Sequence, residues 1–258
     1  MKTGFLITAR LKSERLPKKL LLEVNGEAYI RWMIRRLKLA TSLEEIVLCT
    51  STNPQDDPLE TVAKEEGVAC FRGSEDDVIQ RLYDASLKYQ LDYVVNMTAD
   101  CPLLPYDLID DLIECYNKTD ADLVKCHHLP VGIYLSGLKP EAMKRLLELK
   151  ASGNTEYWLY YFLKTDLFKV EQLSTPSHWN KPEYRLALDY PEDHEVFKIV
   201  YEDLGPDAYK VSTSDLIQWL DDHPEVLAIN RDCGRKGLER TEQDPASKVK
   251  LKSGRVLE

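Results

Sequence analysis

The sixteen residues GFLITARLKSERLPKK (4–19) decide how the rest of the chain is read: an apolar run opens directly into a loop carrying Arg10, Lys12, Arg15, Lys18 and Lys19. A short run of large apolar residues is the mark of a buried strand. In an open α/β sheet the loop that follows a strand lies at the sheet's carboxyl edge, where ligands bind. Five of the twelve residues 8–19 are cationic in a chain of formal charge −10, so either the loop is an ordinary basic surface or it meets an anion. It lacks GxxxxGK[ST] and GxGxxG, which disfavours the phosphate-binding loops of those two motifs.

Outward from this stretch the same alternation repeats. Runs at 46–50 (IVLCT), 68–71 (VACF) and 92–98 (DYVVNMT) alternate with helical periods near 28–40, 58–66, 76–90 and 105–118. That order predicts an α/β fold with a mostly parallel sheet covered on both faces. After ADLVKC (121–126) the rhythm breaks. PVGIYLSGL (130–138) and FKVEQL (168–173) read as strands, PEAMKRLLELK (140–150) as a helix opening on proline, and TEYWLYYFLK (155–164) as an aromatic helix. This inserted strand/helix element, about 127–183, reads as a pocket wall or subunit contact, or as plain core packing. The strand YRLALD (184–189) and helices at 191–204 and 213–223 resume the pattern, and 230–258 reads as an exposed, partly mobile charged tail.

Composition narrows the function. The 258 residues, 43% hydrophobic, suffice for one large globular α/β domain. Residues 1–40 carry +7 and the remaining 218 carry −17. So local a basic patch suits a compact polyanion such as a nucleotide; nucleic-acid binding needs a long cationic surface and is not expected. No apolar run approaches 18 residues and MKTGFLIT is too short for a signal-peptide core, so a cytoplasmic protein without membrane association is expected. The six cysteines form no CxxC pair, and Cys126-His127-His128 lacks the second cluster of a structural zinc site, so reduced thiols are expected.

Three constellations can carry chemistry. Arg10, Arg15 and Lys19 could surround a triphosphate, the guanidinium forks binding bidentately, with loop amides near Lys12 and Ser13 adding a nest. In NMTADCPLL (96–104) an apolar strand ends at Asp100, placed either to hold Mg²⁺ or to cap the next helix. In LALDYPEDHE (186–195) Asp189 ends a late strand, whereas Glu192 and Asp193 read as first-turn acids favoured by the helix dipole. Two strand-end carboxylates beside a cationic loop suit metal-assisted phosphoryl or nucleotidyl transfer.

With these residues on view, ARLKSERLPKKLL (9–21) resembles the ARxxSxRLPxKxL signature of CTP-dependent sugar cytidylyltransferases, the group of CMP-Kdo and CMP-sialic acid synthetases and the spore-coat-type enzymes. CFRGSEDDVIQRLYDA (70–85), VNMTADCPLLPYDLIDDLI (95–113) and LALDYPEDHEVFKIVYEDLG (186–205) resemble the spore-coat branch in order and spacing, so the likeness spans about residues 3–205. It implies a nucleotide-diphospho-sugar transferase fold (GT-A-like, Rossmann-like) and a nucleotidyltransferase domain over 1–229. Arg10, Arg15 and Lys19 would bind the CTP phosphates, and Asp100 and Asp189 the Mg²⁺ ion. Ala9, Ser13, Thr50, Ser51, Arg72 and Asp77 would belong to the nucleotide site. Arg10, Lys19, Asp100 and Asp189 would be the catalytic set, promoting attack of an acceptor oxygen on the α-phosphorus with release of pyrophosphate.

On the acceptor side the likeness departs. Ser136 or Gly137 stands near the position where the spore-coat branch has an acid, and NTEYWLYYFL (154–163) resembles its REHVTPYI element while keeping only Glu156 of the charged residues. His127, His128, Tyr134, Asn154 and Glu156 are acceptor-pocket candidates, and the aromatic insertion implies a homodimer. The expected activity is transfer of CMP from CTP to a sugar, sugar acid or sugar/polyol phosphate. The alternatives are a related transferase using another nucleotide and a non-catalytic nucleotide-binding regulator.

Overall fold

The computed structural model describes residues 1–126 and 128–257. Seven strands form the central sheet: β1 (Thr3–Thr8), β2 (Glu45–Ser51), β3 (Ala69–Gly73), β4 (Tyr93–Thr98), β5 (Leu123–Cys126), β6 (Ser136–Leu138) and β7 (Val170–Leu173). Their spatial order is β3-β2-β1-β4-β6-β5-β7. β1 lies inside the sheet, between and parallel to β2 and β4, and β2 is parallel to β3. β6, from the insertion, runs antiparallel between β4 and β5. The expected mostly parallel α/β sheet with an inserted element is present.

The helices that cover it are α1 (Tyr29–Leu37), α2 (Asp57–Glu65), α3 (Val78–Lys88), α4 (Ile109–Thr119), α5 (Pro140–Leu149) and the short α6 (Leu159–Leu163). Alternation along β1 explains the layers, since successive side chains face opposite ways. Phe5 and Ile7 pack with Met33 and Ile34 of α1, Leu59 of α2 and Leu112 of α4. Leu6, between them, packs with Ile79 and Leu82 of α3 and Met143 of α5 on the other face. Burial on both faces is why the strand reads as an uninterrupted apolar run. A third cluster joins Tyr29 and Trp32 to α7 (Pro191–Leu204) and α8 (Thr213–Asp222).

The site is set up where β1 and β4 end in register, Thr8 opposite Thr98. The Ala99 amide donates to the Thr8 carbonyl at 2.9 Å, so the loops carrying Arg10 and Asp100 leave the sheet side by side. Residues 184–189, expected as a strand, instead form an extended segment with one isolated bridge, Val131 to Arg185. Three backbone bonds fix it: Val131 amide to Tyr184 carbonyl, 2.9 Å; Leu186 amide to Val131 carbonyl, 2.6 Å; Leu188 amide to Asp100 carbonyl, 2.8 Å. The last delivers Asp189 to Asp100.

Three other expectations need correction. Only Ser136–Leu138 of 130–138 joins the sheet, because Pro130 and Gly132, at φ +93, make a turn. The aromatic helix shrinks to Leu159–Leu163, since the Thr155 hydroxyl bonds Asp77 at 2.8 Å and the Ile79 amide at 3.0 Å, holding the preceding residues in a turn. The supposed tail is structured: α9 (Pro224–Ile229) and α10 (Cys233–Gln243) precede a ribbon pairing Val249–Lys250 with Val256–Leu257. Cys233, Val249 and Leu251 are buried, anchors too sparse to register as periodicity. All six cysteines are free thiols, and among the described residues no helix is long and apolar enough to cross a membrane.

Gly132 is where the insertion touches the Asp189 segment. A Cβ there would stand 2.0 Å from the Leu186 carbonyl oxygen, in a backbone conformation that L side chains avoid. Gly132→Ala should therefore cost about 2–4 kcal/mol in urea unfolding and lower turnover by displacing Asp189; an unchanged midpoint and rate would show that this turn does not fix the segment.

Candidate active site

Lys19 begins a 3-10 turn, Lys19–Leu21, whose preceding residue, Lys18, has a left-handed backbone at φ 53. Its ammonium is almost wholly buried and donates to Asp100 Oδ2 at 2.7 Å and to Asp189 Oδ1 at 2.8 Å. Arg15 donates to the same Asp189 oxygen at 2.8 Å and lies over the Tyr190 ring, 4.7 Å from its centroid. Arg185 binds the other Asp189 oxygen at 2.8 Å. Burial by itself would raise the Asp189 pKa; Lys19 first, then Arg15 and Arg185, override it and hold the carboxyl down at about 2. Burial likewise opposes the charge on Lys19, but Asp100 and Asp189 raise its pKa above the ordinary value, so it remains an ammonium.

Behind this centre sits Asp193, which is fully buried. It accepts from Arg185 Nε at 2.9 Å, Arg185 Nη2 at 3.1 Å, the Asp189 amide at 3.0 Å, the Tyr190 amide at 2.9 Å and Asn230 Nδ2 at 2.9 Å. The sequence reading took it as a first-turn acid. It does cap α7 in a capping box with Tyr190, but it also fixes both the backbone of Asp189 and the guanidinium that grips it. Five donors satisfy a carboxylate that has no access to water.

Over the carboxylates opens a cavity of about 300 Å³. Arg10, Lys12, Arg15 and Lys19 line it with positive charge, Asp100 and Asp189 lie on its lining, and Asp76, Asn154, Glu156 and Arg240 complete the walls. Arg10 donates to the Glu75 carbonyl at 3.0 Å and lies 3.4 Å from Glu156. A second cavity of about 230 Å³ adjoins through Thr98, Glu156 and Trp158 and adds Tyr134, Ser136, Tyr157 and Tyr160.

The candidate residues divide accordingly. Arg10, Ser13, Arg15, Lys19, Asp100, Asn154, Glu156 and Asp189 meet at the first cavity, and Tyr134 lies on the second. Ala9, Thr50, Ser51, Arg72 and Asp77 line neither. Ala9 is buried and its amide continues the sheet to the Cys49 carbonyl. Thr50 and Ser51 are buried, and the Ser51 hydroxyl donates to Asp56, which also accepts from the Leu11 amide at 2.7 Å and so supports the basic loop from beneath. Arg72 is committed to the Ser51 and Asn53 carbonyls and to Asp57 and Glu60. Asp77 caps α3 and binds Lys150 at 2.6 Å; its neighbour Asp76 faces the cavity. His128 lines neither cavity, and His127 lies outside the described residues.

Sequence reasoning missed Asp56, Asp76, Arg185, Asn230 and Arg240, and gave Asp193 only its place in the first turn of α7. Arg185, Asp189 and Asp193 are spaced four apart, a signal that could have grouped them. Nothing local points to Asn230 or Arg240, which reach the site from the end of the chain.

A cationic cavity above paired carboxylates at the carboxyl edge of a parallel sheet defines an enzyme of the nucleotidyl-transfer class. The chain belongs to the cytidylyltransferase family, whose model matches residues 5–197. It is 29% identical to a cytidylyltransferase of known structure from Leptospira borgpetersenii, with a TM-score of 0.81 over 88% of this chain and 97% of that one. It is 28% identical to the spore coat polysaccharide biosynthesis protein SpsF of Bacillus subtilis, covering 86% of this chain and 95% of SpsF. It is 27% identical to the 3-deoxy-manno-octulosonate cytidylyltransferase of a Psychrobacter species, covering 84% and 76%. The nucleotide is thus CTP and the reaction cytidylyl transfer; the alternatives of another nucleotide or a non-catalytic regulator find no support.

The charge network also makes a stability prediction. Asp189 is held below its unfolded value of 3.8, so its contribution is complete above about pH 5 and is lost as pH falls through about 2. The urea-unfolding stability of wild type relative to Asp189→Asn should shrink by about 2 kcal/mol between about pH 5 and pH 2. A difference that does not change with pH would mean that Asp189 is not held by these cations in solution.

Proposed function

We propose that the chain is a Mg²⁺-dependent cytidylyltransferase that transfers CMP from CTP to a hydroxyl of a sugar, a sugar acid or a sugar/polyol phosphate, in the cytoplasm, for glycan or cell-surface polysaccharide assembly. The observation that carries this reading is the convergence of Asp100 and Asp189 on one ammonium, 2.7 and 2.8 Å away, beside the basic loop.

That ammonium is a stand-in cation: it occupies the point that two carboxylates already share. No cluster of three or more His, Cys, Asp or Glu forms a metal site among the described residues. Mg²⁺ suits such a place because it is ordinarily held by one or two carboxylates, with phosphate oxygens and water completing its shell. Bound there, Mg²⁺ would neutralise the triphosphate and polarise the α-phosphoryl group.

The chain's own residues supply the rest. Lys19 and Arg15 are placed to exchange their carboxylate partners for phosphate oxygens and to hold the charge of the leaving pyrophosphate. Arg10, steadied by the Glu75 carbonyl and Glu156, fixes the opposite wall. The second cavity offers the acceptor the aromatic faces of Tyr157, Trp158 and Tyr160 and the hydroxyls of Tyr134 and Ser136. Glu156, common to both cavities, would orient the attacking hydroxyl toward the α-phosphorus. The names of the relatives favour a sugar-type acceptor.

A thermal-shift screen of the four ribonucleoside triphosphates with and without Mg²⁺ tests the reading, since saturation at 100 times Kd stabilises by about 2.7 kcal/mol. CTP alone should shift the transition, and more strongly with Mg²⁺. Asp100→Asn should stay folded while pyrophosphate release falls by about 10²-fold or more; near-normal turnover would remove Asp100 from the catalytic set. Equal shifts with and without Mg²⁺ would argue against the metal.

A further inference from the structure

The family match ends at residue 197, well before α10. We infer that Arg240, carried by α10, is a phosphate-binding residue that takes the β- and γ-phosphates of the triphosphate and the pyrophosphate as it leaves. The inference rests on the reading of the first cavity as the CTP site and goes beyond it by giving the C-terminal segment a part in binding.

Arg240 lines the first cavity together with Arg10, Lys12, Arg15 and Lys19 and is absent from the lining of the second. Its charge therefore faces the phosphate side and not the acceptor side. Its guanidinium lies 3.8 Å from Glu14, a carboxylate on the basic loop itself, and both side chains are well exposed. An exposed ion pair at that separation contributes little. Little opposes exchanging Glu14 for phosphate oxygens, which a guanidinium binds bidentately and more strongly.

The helix is also built to hold Arg240 in place. Just before it, buried Asn230 donates to Asp193 at 2.9 Å. Lys236 pairs with Glu192 at 2.9 Å and lies 5.6 Å from the Tyr190 ring centroid, the ring that Arg15 covers from 4.7 Å. Just after it, Asp244 accepts from the Tyr157 hydroxyl at 3.3 Å. The helix thus runs from the Asp189 side of the site to the aromatic insertion, with Arg240 on the cavity wall.

Calorimetric titration of the full chain with CTP, CMP and inorganic pyrophosphate, each with Mg²⁺, tests the inference. Arg240→Ala should weaken CTP and pyrophosphate about tenfold and leave CMP within about twofold, because CMP lacks the phosphates in question. Arg240→Lys should recover part of the loss, and Glu14→Gln should bind CTP as well as or better than wild type. If the alanine variant does not fold, Arg240→Gln reads the same differential. The inference is overturned if Arg240→Ala binds CTP like wild type while Lys19→Ala does not, or if CMP and CTP weaken equally, the sign of a disturbed helix. A wild-type chain that binds no CTP would instead overturn the assignment of the cavity on which the inference depends.

Discussion

The arrangement depends on a single buried ammonium. Asp100 and Asp189 come from loops 89 positions apart in the chain, yet an oxygen of each lies within 2.8 Å of Lys19 Nζ. Two carboxylates facing one point repel each other, and one would normally take up a proton. Lys19 offsets that repulsion, and Arg15 and Arg185 reinforce it at Asp189. Such a buried network is poor value as a source of stability, because desolvating its charges offsets most of their attraction. What it supplies is alignment: two carboxylates are held on one cation with further cations beside the cavity, so a ligand entering there requires only an exchange of partners.

The same network explains the architecture around it. The parallel register of β1 and β4 brings the Lys19 and Asp100 loops together. It cannot bring Asp189, which comes from outside the sheet. That task falls to backbone bonds with Val131 and Asp100 and to the close approach at Gly132. Asp193 then clamps Asp189 from behind through two amides and Arg185. The sheet supplies half of the site, and the turns of the insertion hold the other half against it.

This division also sets how much could be read from the sequence. β1, β2 and β4 are buried on both faces, and a doubly buried strand writes its burial as an unbroken apolar run. Arg15, Lys19 and Asp100 were legible because a strand followed by a loop says where a side chain will lie before it says what it touches; Asp189 was singled out by the same reasoning, although its segment is held by backbone bonds outside the sheet. Thr50, Ser51, Arg72 and Asp77 stand at the same edge but line neither cavity: Thr50 is wholly buried, Ser51 turns to Asp56, Arg72 to carbonyls, and Asp77 to the Gln80 amide and Lys150. Proximity to the carboxyl edge is a property of position in the fold. Facing the ligand is a property of partners, and those partners are far away in sequence.

The C-terminal segment is the sharpest case. Its composition is charged and its apolar residues are few, so the expected boundary fell at residue 229 with a loose tail beyond. Asn230, the next residue, is almost fully buried and donates both to Asp193 and to the Arg185 carbonyl. A cut there would leave Asp193 with one donor fewer in a buried setting, where an unmet polar partner costs about 1–3 kcal/mol, and would loosen the clamp on Asp189. Further along, Val249 and Leu251 enter the same cluster as Met143 and Tyr161, closing the segment onto the insertion. A few well-placed side chains suffice to make the last thirty residues part of the site's frame, because what they secure is the alignment of charges already in place.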